Sequence, residues 1–164
     1  MEMAIRITET GPLLAGESAE VVTRHLSAAT AEATQYGARR VKQRTPQGVD
    51  AMLVKSIQPE VRRAGTNQVF GLIGTALAYG QVIEMGRKPG GRVPPKGSLL
   101  RWVKFRFGIG GEDAERAETA LRFSIAQKGF PGIHMFENTL TEDWDQFVKI
   151  FNRHGFLIQQ ELEG

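Results

Sequence analysis

The chain has 164 residues, 41% hydrophobic and 24% charged, a globular composition long enough to bury about two-thirds of its unfolded surface. It has no cysteine, which excludes disulfides, zinc–thiolate and iron–sulfur sites and thiol nucleophiles. The net charge of +3 divides unevenly: two Arg against five Glu over 1–36, fourteen Lys/Arg against three acids over 37–106, and five against ten over 107–164.

A basic middle between acidic flanks suits a polyanion-binding surface, or copies that dock basic face to acidic face. No apolar run approaches the roughly 20 residues that cross a bilayer. The start MEMAIRITET carries acids and no long apolar core, unlike a signal peptide. Folding in a reducing cytoplasm, with no membrane partner, is expected.

In chain order, Met3, Ile5 and Ile7 alternate with Glu2, Ala4 and Arg6, the period of a strand with one buried face. Gly11-Pro12 ends it. From Ser18 to Arg44 the period changes: Val22, Leu26, Ala29, Ala33 and Tyr36 form one narrow apolar stripe on a helix about 40 Å long. Ser18 is its expected N-cap, and Glu20 and the cations Arg39, Arg40, Lys42 and Arg44 complement its dipole. Pro46 ends it. So thin a stripe on so long a helix suits a second face covered by another chain.

Residues 45–54 read as a loop leading into a short apolar turn. Residues 55–63 and 68–74 read as strands. Val69, Phe70, Leu72 and Ile73 make the second apolar on both faces, hence central, and RRAGTNQ between them has hairpin chemistry. Residues 75–86, with Tyr79, Val82 and Ile83, fit a short helix or an irregular turn. Three Pro and three Gly make 87–97 an exposed basic loop. Ser98 is expected to cap a short helix running through Trp102 and Val103 to about Phe107. A glycine-rich break precedes a helix opened by Glu112 and Asp113, with Ala114, Ala117, Leu121 and Ile125 inward and Gly129 as its stop. A last helix carries Phe136, Leu140, Trp144, Phe147 and Phe151 to near Gly155, leaving a short C-terminal tail from about 156. The expected fold is a single α+β domain over 1–164: a small antiparallel-rich sheet packed with one long N-terminal helix and two to three further helices.

Catalytic and metal motifs are not found. His25, His134 and His154 are far apart in sequence, with no second ligand at i+3 or i+4. The glycines of GLIGTALAYG and GIGGED fit neither phosphate-binding fingerprint. No GxSxG elbow occurs. Glu84, in VIEMG, reads as a paired structural carboxylate rather than a general base. No catalytic residue, cofactor or metal is expected.

The sharpest feature is 87–106. It carries seven cations and no acid, with Trp102, Phe105 and Phe107 interleaved. A nucleic-acid-binding module would use the cations on phosphates and the rings on bases. The favoured reading places the rings on the buried face of the short helix and turns the cations toward an acidic surface on another copy or partner.

The segments then follow a familiar order. RTPQGVDAMLVKSIQPEV comes after the long helix, then GLIGTALAYGQVIEMG, PPKGSLLRWVKFRFG and GFPGIHMFENTL. Over about residues 20–145 this resembles the tail-completion, or head–tail joining, proteins of long-tailed bacteriophages. Thr45, Pro46, Ser56 and Ile57 match the first signature, Tyr79, Glu84 and Gly86 the second, Pro131 and Phe136 the third. The chain departs from the pattern at Gly80, at Asn138-Thr139 and in the Gly48-to-Leu53 spacing.

The resemblance implies a non-enzymatic virion structural protein at the head–tail interface, assembled in the host cytoplasm. It implies a ring homo-oligomer, taken as a hexamer, joining the capsid connector or adaptor to the tail tube or tail terminator. On that reading Arg39, Arg40, Lys42, Arg44, Arg87, Lys88, Arg92 and Lys96 form the contact surface, toward acidic neighbours or, transiently, DNA passing through the ring.

Overall fold

A computed structural model describes residues 1–8, 17–63 and 68–163. The expected break at Gly11-Pro12 and the tip of the expected hairpin, 64–67, lie outside the described residues. The fold is α+β, and the chain divides into two compact units. The first comprises Met1–Arg44, Ser56–Ala76 and Met135–Gly164. The second, Thr45–Lys55 and Leu77–His134, is inserted into it along the sequence.

In the first unit, β1 (Glu2–Thr8), β2 (Gln58–Arg63) and β3 (Gln68–Gly74) form an antiparallel sheet in the order β1-β3-β2. The strand that is apolar on both faces is the central one, as expected. Met3 and Ile5 stand opposite Ile73 and Gly71, so residues two apart on each strand share the face that packs on α1 (Glu17–Arg44). Edge strand β2 keeps its six side chains exposed. Its Pro59, Glu60, Arg62 and Arg63 discourage further strand pairing.

Helix α1 begins at Glu17, so Ser18 lies inside its first turn rather than at the cap. Its buried face also differs from the expected stripe. Val22, Leu26 and Tyr36 are only partly buried, while Ala29, Thr30, Ala33, Thr34, Gly37, Ala38 and Val41 are covered. These are mostly small residues, and they let the helix approach the sheet closely. A Cβ on Gly71 would overlap the Thr34 hydroxyl, and one on Gly37 would meet Ile73 and, at 3.2 Å, Phe147. The buried threonines satisfy themselves: the Thr30 hydroxyl donates to the Leu26 carbonyl at 2.8 Å, and Thr34 to that of Thr30 at 2.6 Å.

The single last helix of the sequence reading is two helices. Thr139 and Asp143 link α6 (Met135–Glu142) to α7 (Trp144–Glu163) through backbone hydrogen bonds. The stretch from 156, expected as a short tail, is helical to Glu163. Helix α7 lies antiparallel to α1, burying Phe147 and Ile150.

The second unit contains α2 (Met52–Ser56) up to Lys55, then α3 (Tyr79–Met85), β4 (Gly86–Arg87), α4 (Leu100–Phe107), α5 (Gly111–Lys128) and β5 (Phe130–Pro131). Thus 75–86 resolves into a short helix. Arg87, expected in the loop, pairs with Phe130 in a two-stranded ladder. Two glycines with positive φ make that ladder possible. Gly86 (φ 73) has no room for a side chain beside the Gly132 nitrogen, and Gly129 (φ 65) none beside the Arg87 carbonyl.

Candidate interaction surface

Helix α4 turns one side inward. Val103 is fully buried, and Leu99 and Leu100 are half-buried. The helix ends at Gly108 (φ 66), whose N–H donates to the Lys104 carbonyl. Ser98 does not cap it: its hydroxyl donates to the Pro95 carbonyl at 2.7 Å, and Leu99 holds the cap position.

The rings expected on its buried face are outside. Trp102 is 37% exposed, Phe105 69% and Phe107 58%. Helix α4 is two turns long and its main packing partner is α5, so Val103 is the one fully buried position. Trp102 and Phe107 meet edge to face, with centroids 5.9 Å apart. Arg101, Lys104 and Arg106 are exposed among them. Arg101 pairs with Asp50 at 2.6 Å.

The loop leading into α4 is strapped along α5. The Gly90 N–H donates to the Ala126 carbonyl at 2.8 Å, and Arg122 Nε to the Pro94 carbonyl at 2.7 Å. The Glu118 carboxylate, 2% exposed, accepts the Gly97 N–H at 2.8 Å and lies 3.7 Å from the Arg122 guanidinium. A buried carboxylate persists because charge and hydrogen bonds replace its water. Sequence reasoning passed over Glu118 and Arg122. The signal available was an acid four residues after Ala114, in line with the inward stripe, followed at i+4 by an arginine.

The eight expected contact cations are not alike. In the second unit Lys88, Arg92 and Lys96 are exposed. Arg87 is half-buried and braces the loop by donating to the Arg92 carbonyl. An open groove of about 660 Å³ along β4 and β5 is lined by Arg87, Lys88 and Lys128 among apolar Met85, Phe130 and Pro131.

In the first unit Arg39 is exposed and Lys42 half-buried, but Arg40 and Arg44 are committed internally. Arg40 Nε donates to Asp143 at 3.0 Å, and Arg44 pairs with Asp143 at 2.5 Å and Glu142 at 2.7 Å. The Tyr36 hydroxyl adds a 3.3 Å contact to Asp143. Burial pushes the Asp143 carboxyl up, but the two arginines outweigh it and hold it below its ordinary value near 3.8.

The resemblance signatures fall mainly on positions that hold the chain. Thr45, Ile57, Glu84 and Phe136 are buried. The Ser56 and Thr75 hydroxyls are 2.6 Å apart. Glu84, expected to be a structural carboxylate, is 1% exposed, and its carbonyl accepts the His134 N–H at 3.1 Å. Tyr79, Pro46 and Pro131 are exposed.

The histidines, distant in sequence, partly converge. The antiparallel course of α1 and α7 brings His25 and His154 to 5.8 Å between ring centroids. His25 Nε2 lies 3.0 Å from Glu161, and His154 Nε2 3.3 Å from Glu32. Hydrogen bonds from Arg153 and Arg24, respectively, hold Glu32 and Glu161 below the usual carboxylate range. Among the described residues no group of three or more potential ligands is placed to hold a metal ion. Nor, among them, is any helix long and apolar enough to cross a membrane.

Comparison of the chain with protein-family models, with curated proteins and with solved structures finds no match.

Proposed function

We propose that this chain is an assembly part of a tailed-phage virion. It acts at the head–tail junction, where copies form a ring between the capsid connector and the tail. The reading starts from the ordered signatures, which run from Thr45-Pro46 to Phe136. The observation that carries it is the exposed cationic stretch of the second unit, held outward from a scaffold that Glu118 and Arg122 tie down. A surface displayed in this way suits docking against an acidic neighbour, with the loop ordered before contact. In this reading the protein binds and does no bond-making chemistry.

The test reverses charge at Lys88, Arg92 and Lys96 together. Arg87 is left alone because it braces the loop. The variant should melt as the parent does yet fail to join separately purified heads and tails. Normal joining by it rejects the loop as the contact. A protein that stays monomeric in negative-stain images and is missing from assembled virions rejects the reading as a whole.

A further inference from the structure

Exposed rings and cations on α4 point to a second kind of partner. We propose that α4 binds single-stranded nucleic acid, with bases stacking on Trp102, Phe105 and Phe107 and phosphates meeting Lys104 and Arg106.

Three observations carry it. First, the rings stand in water at the exposures given above, although a helix usually turns its aromatics to the core. Second, no acid occurs from 85 to 111, Glu112 and Asp113 lie beyond α4 at the start of α5, and Arg101 is paired with Asp50, so Lys104 and Arg106 are the exposed cations beside the rings. The cations that α4 itself displays favour a polyanion.

Third, cation and ring alternate along Lys104-Phe105-Arg106-Phe107, with Trp102 before them across buried Val103. A helix that seats in a protein groove presents one continuous apolar stripe. Successive residues of a helix lie about 100° apart, so the rings and cations are spread around the exposed side of α4, a mix that matches a nucleotide, which offers a flat base and a charged phosphate. The helix is about 12 Å long, far short of the roughly 34 Å of a duplex turn. It suits a few unstacked nucleotides.

The inference does not depend on the head–tail reading, and its test keeps the two apart. Trp144→Phe leaves Trp102 as the one indole. That protein is titrated with an oligo-dT while its fluorescence is followed. Stacking should quench Trp102. With two phosphate contacts, affinity should fall roughly sevenfold between about 50 and 200 mM salt. Phe105→Ala and Phe107→Ala, at exposed positions, should keep the parent melting temperature and bind about tenfold more weakly each. Lys104→Glu with Arg106→Glu should abolish binding.

No binding at low salt overturns the proposal. So does equal or tighter binding of duplex DNA, because a paired base cannot stack on a ring. Equal binding of poly-glutamate, unchanged by Phe105→Ala, also overturns it and assigns α4 to an acidic protein partner. An oligonucleotide-blind Phe105→Ala variant that still joins heads to tails would separate this site from the joining surface.

Discussion

Asp143 shows how a residue that looks like surface in the sequence becomes structural in the fold. Glu142, Asp143 and Asp145 stand close together in the sequence with nothing to single one out, and Arg40 and Arg44 read as a basic face awaiting a partner. Nothing in the spacing announces that they meet about a hundred residues apart. That meeting exists because α1 and the α6–α7 junction pack together. Asp143→Asn leaves two guanidiniums partly buried with a weakened acceptor. The expected cost is about 2–3 kcal/mol at neutral pH, read from the denaturant midpoint.

The sign of its pH dependence follows from the depressed carboxyl. Stabilisation from Asp143 is complete above its ordinary value near 3.8 and is lost as pH falls through the lower folded value. The parent protein should therefore lose stability steeply below about pH 4. The Asn variant should show a shallower loss, with the two curves converging in acid. Parallel curves would exclude Asp143 as the source.

Elements were more legible than their faces. Gly and Pro punctuate the chain more clearly than the serine caps expected at Ser18 and Ser98, neither of which caps a helix, and both strands of the hairpin, α1 and α5 stand close to where the sequence puts them. Which side of each element is buried was harder to see. On α1 the covered side is small and partly polar, because threonine hides its hydroxyl on the preceding turn and glycine contributes space rather than a side chain. On α4 the reverse holds: the large rings face water and one valine makes the fully buried contact.

The close approach of α1 to β3 can be tested as a coupling. Gly71→Ala alone overlaps the Thr34 hydroxyl and should cost about 1–3 kcal/mol. Adding Thr34→Ala makes room, so the double variant should be more stable than the sum of the two single effects. Strict additivity would show that the helix and strand separate easily. On α5, Glu118→Ala removes the acceptor of the Gly97 N–H. The loop should loosen, and limited trypsin digestion after Arg92 and Lys96 should accelerate several-fold while the rest of the chain stays intact. Unchanged cleavage would mean that Arg122 and the Gly90 bond hold the loop unaided.

At the scale of the molecule, composition and period were enough for the α+β class and for a small antiparallel sheet with a central third strand. The candidate surface was half legible. Counting residues finds the cations of 87–106, but only the structure separates exposed Lys88, Arg92 and Lys96 from the bracing Arg87 and from the internally paired Arg40 and Arg44. A linear charge count cannot tell a displayed ion from a paired one, since both are written with the same letter.

The order in which the two units occur along the chain has a consequence for synthesis on the ribosome. The inserted unit is complete once His134 has emerged, whereas the first unit still lacks the helices that begin at Met135. The later-starting unit can therefore close first, while β1 and α1 wait, with α1 uncovered on the side that α7 will occupy, until the residues of α7 have emerged.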